Sequence, residues 1–226
     1  MKTLFTFFSL VFLLFGCSPV MDYTILEEDE GHVLVELDHR PTVDSLYIVG
    51  DEVREKVDQD YLTIDFCIPS LYPRYPKDPW AQIHFVAPGE YYDDEEHIIL
   101  QIFGAVDDKE VRTLQAIQPE MEDYVGKWYH HHPMMEELVI IERYKNWIEL
   151  RYYMTKDYTE IDGELDVLED WSSVTGIREP DQTEQLTMIS ENEFETIDGQ
   201  RWIINDAGEL VQPFADGTQR VYDPVK

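Results

Sequence analysis

The sequence predicts an all-β fold: an N-terminal antiparallel β-sandwich, then a C-terminal up-and-down β-barrel, with a short helix between them. Three observations carry this. Apolar residues alternate with period two along most of the chain, as in Val33, Val35 and Leu37 against Leu34, Glu36 and Asp38. Hairpin dipeptides recur at Asp162-Gly163, Asp198-Gly199 and Asp216-Gly217, with Ala207-Gly208 as a further turn. Only residues 107–125 change to helical spacing, through Val111, Leu114, Ile117, Met121 and Val125.

In chain order, strand-like runs lie at Ser45 to Val49, Tyr61 to Ile68, Ala81 to Ala87 and His97 to Phe103, and together they predict the sandwich over 17–118. Residues 68–80 carry four prolines, at 69, 73, 76 and 79, which forbid ladder bonding and predict an extended loop. Pro119 interrupts the helical stretch and sets the boundary near Gln118. Over 119–226, strands are expected at Lys127 to His132, Leu138 to Arg143, Trp147 to Met154, near Glu164 to Leu168, and in four short segments separated by the glycine turns after Glu193. About eight such strands make a barrel wide enough for packed side chains or one small ligand.

The 226 residues carry a formal charge of −31, with 43% hydrophobic and 13% aromatic residues. That apolar content supports a folded core. The charge excludes a nucleic-acid partner, because phosphate backbones are gripped by basic surfaces, and it disfavours an anionic leaflet.

The N-terminus reads as an export signal over residues 1–16. Lys2 supplies a positive start, and in Leu4 to Phe15 only Thr6 and Ser9 are polar. At 1.5 Å per residue that stretch reaches about 18 Å, short of a bilayer core. Leu14-Phe15-Gly16-Cys17 resembles the lipobox of bacterial lipoproteins, although Phe15 departs from the small or β-branched residue usual there. The resemblance implies a chain lipidated at Cys17 and anchored in the cell envelope. Ser18 after the cysteine implies the outer membrane. Cys67, in an alternating strand and without a partner once Cys17 carries lipid, is expected to be a buried reduced thiol.

Tyr124-Val125-Gly126-Lys127-Trp128 at the first barrel strand and Arg220 on the last resemble the Gly-x-Trp opening and closing Arg of the lipocalin-like family. The resemblance covers about 119–226 and lacks the family's middle motif. It implies that Gly126, Trp128 and Arg220 close one barrel end, the Arg lying over the indole, and that the barrel binds a small apolar ligand.

Other candidates are weaker. His130, His131 and His132 with Glu136 or Glu137 contain zinc- or iron-ligand types, but Pro133 ends the strand and no second ligand pair recurs, so a solvated turn and no metal are expected. The acidic runs Glu27 to Glu30 and Asp93 to Glu96 lack the spacing of a calcium loop. No nucleophile elbow, zincin motif or phosphate-cradling loop appears, and neither catalysis nor a cofactor is expected. The competing function is a glycan- or protein-binding surface, with Tyr72, Tyr75 and Trp80 of the proline loop as an aromatic platform.

Overall fold

The computed structural model describes residues 21–90, 95–155, 158–165 and 180–225. The expected export signal over 1–16, Cys17, Ser18 and part of the second acidic run lie outside them. The architecture is mostly β, with one mixed sheet and one closed barrel.

The first half is not an antiparallel sandwich. Strands β1 (Tyr23–Asp29), β2 (His32–Leu37), β3 (Thr63–Cys67), β4 (Ala81–Val86) and β5 (His97–Ile102) form a single sheet in that order. β2 and β3 run parallel, and the connection between them is helix α1 (Val43–Val57), which replaces the strand expected at Ser45 to Val49. Thr42 caps this helix by accepting the Ser45 N–H at 3.3 Å. Leu46, Val49, Gly50 and Val53 recur at helical spacing and are buried. Gly50 sits within the helix because a Cβ there would come 2.9 Å from Ile83 Cδ1, so the glycine lets α1 lie close on the sheet. The helix thus supplies the layer that a second sheet was expected to supply. It buries a core with Val33, Val35, Ile64, Phe66, Ile83 and Leu100.

Helix α2 (Asp108–Ala116) forms only the first part of the helical stretch expected over 107–125: it ends before Pro119, Met121 lies outside it, and Val125 belongs to the first barrel strand. Asp107 caps it by accepting from Glu110 N–H at 2.8 Å, while Glu110 reaches back to Val106 N–H at 3.0 Å. The helix packs Leu114 on the outer face of the barrel with Tyr129, Leu138, Ile140 and Tyr153.

β6 (Tyr124–His130), β7 (Glu137–Arg143) and β8 (Ile148–Met154) begin the barrel. The chain then returns to the first sheet. β9 (Tyr158–Ile161) pairs with β5, and β10 (Glu164–Leu165) with β9, around the Asp162-Gly163 turn, whose φ values of 53° and 79° are both left-handed. The strand expected near Glu164 therefore belongs to the first sheet rather than the barrel. β11 (Gln182–Ser190), β12 (Glu193–Thr196), β13 (Arg201–Ile204), β14 (Leu210–Pro213) and β15 (Gln219–Pro224) complete the barrel, and β15 closes on β6.

The barrel interior is packed. Trp128, Val139, Ile141, Leu150, Tyr152, Leu186, Phe194, Trp202, Leu210 and Tyr222 form one buried cluster inside it.

Candidate functional site

The segment between β6 and β7 reads His130-His131-His132-Pro133-Met134-Met135-Glu136-Glu137. It lies where the barrel meets the proline loop. Its turn is seated on Gly104, where a Cβ would come 2.4 Å from the Pro133 carbonyl oxygen. Glu136 immediately precedes β7 and Glu137 opens it; Glu136 accepts from Tyr129 of the outer-face cluster and Glu137 from Tyr222 of the interior cluster, so the two buried carboxylates face opposite sides of the barrel wall.

On the outer side, Glu136 accepts from Tyr72 Oη at 2.7 Å, Tyr129 Oη at 2.6 Å and Arg40 at 2.5 Å, and His131 Nδ1 lies 3.0 Å away. Burial alone would raise this carboxyl, but the contacts with His131, Arg40 and Tyr129 outweigh it and hold the group below the usual carboxylate range. Arg40 also donates to Asp108 at 2.6 Å. Above this cluster opens a cleft of about 600 Å³ between the sheet and the barrel. Its lining sets Arg40, Arg112 and His131 beside the carboxylates Asp108 and Asp223, with Val111 and Val225 as apolar wall. The buried Arg40 Nε has no hydrogen-bond partner among the described residues, and Arg112 has no ion-pair partner among them either.

On the inner side, Glu137 accepts from Arg220 at 2.9 Å and Tyr222 Oη at 3.0 Å. Burial pushes its carboxyl up, and Arg220 only partly offsets this. A smaller pocket of about 310 Å³ beside this pair is lined by Tyr75, His130, His132, Met134, Met135 and Arg220, among others. His130 is buried, its Nδ1 lies 2.8 Å from the Val221 carbonyl oxygen, and burial pushes its pKa down to about 4. The triplet is therefore not a solvated turn.

The expected aromatic platform does not form. Trp80 is fully buried, donating to Ala105 O at 3.0 Å, and Tyr72 is buried against Glu136. Only Tyr75 reaches a pocket, its ring 4.2 Å from that of His132. The proline loop folds inward because its aromatic rings are worth more buried at the sheet–barrel junction than exposed.

Gly126 and Trp128 sit together. A Cβ on Gly126 would come 2.4 Å from the Trp128 ring. The indole N–H donates to Gly208 O at 2.8 Å, fixing the ring to the β13–β14 turn. Arg220 does not lie over it. The register places Trp128 opposite Pro224, and four residues of strand span about 13 Å. Arg220 stacks instead on Phe214, 5.9 Å from its centroid, and pairs with Glu137. Cys67 is buried, and desolvation pushes its thiol up to about 11.

The chain matches no family model, and no curated protein or solved structure matches it significantly. Arg40, Arg112 and Tyr129 were not legible as a site, whereas His131 and Glu136, weighed from the sequence as possible metal ligands, do come together. The only local signal was the density of histidine, methionine and glutamate after β6.

Proposed function

We propose that the protein is a lipid-anchored component of the bacterial outer membrane that binds a small amphipathic molecule carrying one anionic group. The binding site in this reading is the cleft between sheet and barrel, with the barrel as its scaffold. The observation that carries it is the cleft's lining, which sets Arg40 beside Arg112, an exposed guanidinium with no ion-pair partner among the described residues. In a chain of net charge −31, Arg112 is the guanidinium left to an anion in this concavity, since Arg40 is matched by Glu136 and Asp108 and Asp223 also lines the cleft. Leu71, Val111, Pro224 and Val225 supply the apolar wall for the rest of the ligand. The packed barrel core speaks for this cleft over the barrel interior, and burial of Tyr72 and Trp80 removes the aromatic-platform alternative.

Native mass spectrometry of protein purified from its own cells tests the binding. The expected result is a stoichiometric small-molecule adduct that Arg112→Glu abolishes, since Arg112 is exposed and its substitution leaves the fold intact. A bare polypeptide mass, or an adduct indifferent to Arg112→Glu, excludes the cleft. Anchoring is tested separately: Cys17→Ala should shift the protein out of the detergent-extracted membrane fraction, and unchanged partitioning removes the lipobox.

A further inference from the structure

We infer that the pocket on the inner side of the β6–β7 segment is a soft-metal site that takes monovalent copper through His130 Nε2, Met134 Sδ and Met135 Sδ. It is independent of the anion cleft, which lies across the barrel wall.

The carbonyl of Val221 can only accept a hydrogen bond, so the His130 ring proton sits on Nδ1, 2.8 Å from that oxygen. The Nε2 lone pair is therefore free, and it has no hydrogen-bond partner among the described residues. This is the arrangement of a metal-ligating imidazole, whose orientation and tautomer are fixed by a carbonyl behind it. Met134 and Met135 line the same pocket as His130. Met134 is 45% exposed, so packing alone does not account for an unbranched apolar side chain there. His132 holds this geometry in place. Its Nδ1 accepts the Met134 N–H at 3.1 Å, and its ring stacks on His130 with centroids 5.5 Å apart and planes 22° apart.

The donor set decides the metal. Thioethers are soft ligands that bind hard divalent ions poorly and monovalent copper well, and imidazole is compatible with it. Among the described residues no group of three or more His, Cys, Asp or Glu converges, so the harder ligand set of a zinc site is not offered there. Arg220 also lines the pocket, but its charge is matched by Glu137 at 2.9 Å. Asp78 adds a negative charge 3.6 Å from His132 Nε2.

The test is anaerobic titration of the full chain with Cu(I) in competition with a chromogenic chelator, using Cys17→Ala so that no exposed thiolate takes the metal. The expected result is one equivalent of Cu(I) held against the chelator, with sulfur in the copper coordination shell by X-ray absorption. Met134→Leu/Met135→Leu, which conserves volume, should weaken binding about tenfold or more without moving the thermal midpoint. Failure to retain Cu(I), a shell without sulfur, or a double variant that binds like its parent overturns the site.

Discussion

Gly126 illustrates how a single residue fixes the seat of a large side chain. Three ring atoms of Trp128 lie within 3.0 Å of where a Cβ would stand, and the indole is held from the other side by its bond to Gly208 O. Gly126→Ala should therefore lower stability by about 2 to 3 kcal/mol, because neither neighbour can yield cheaply; a shift below about 0.5 kcal/mol in urea unfolding would mean that the ring swings free. Arg220 acts differently from the stacking role its position implied. Removing it leaves Glu137, with a side chain only 4% exposed, holding a charge that Tyr222 alone supports. Arg220 is itself 32% exposed, so Arg220→Ala should cost about 2 kcal/mol at neutral pH, less than a fully buried pair. The Glu137 carboxyl is already pushed up by burial, and the variant pushes it further. In that window the folded state binds the proton and the unfolded state does not, so stability falls as pH rises and recovers on acidification. The variant's deficit should thus shrink between pH 7 and 5, and a deficit constant with pH contradicts this account.

The elements show what local sequence encodes well and badly. β12 to β15 were legible because each glycine turn fixes a hairpin without outside help, as at Gly199 and Gly217 with φ of 88° and 86°. Helix α1 was hidden because Ser45 to Val49 is too short a window for two-residue and 3.6-residue periods to differ. The discriminating signals were the Thr42 cap and the buried Val53 one turn further on. β11 was missed since its burial is largely restricted to Leu186, leaving little alternation to read. β9 was unreadable in principle: whether Tyr158–Ile161 joins β5 or the barrel is a tertiary choice. That choice is testable by amide hydrogen exchange. In the full chain the 158–161 amides should be protected. In a 119–226 fragment they should exchange freely, while those of β7 stay protected if the barrel folds alone. Protection of 158–161 in that fragment would return the strand to the barrel.

At the scale of the whole molecule, sheet and barrel are joined by a strand, a loop and a buried charge. β9 and β10 carry barrel-side sequence into the sheet, the proline loop carries Tyr72 and Tyr75 against the barrel, and Arg40 reaches Glu136 across 96 residues of sequence. That separation is why the site escaped the sequence, which presents Arg40 as an isolated cation and Glu136 as one of a pair of acids. Arg40 has a side chain 6% exposed and Glu136 one fully buried. Arg40→Ala leaves a buried carboxylate supported by two tyrosines and His131, and breaking a buried pair in this way costs about 3 to 5 kcal/mol. Glu136→Gln in the same background should recover part of that loss, because the amide removes the stranded charge while keeping an acceptor for Tyr72 and Tyr129. Sheet and barrel should unfold together in the parent, giving one calorimetric transition, and separate into two in Arg40→Ala as the junction weakens. If Arg40→Ala unfolds in one transition at an unchanged midpoint, the junction is held by the loop and β9 alone, and the cleft above Glu136 is a surface feature rather than a consequence of how the two parts are locked.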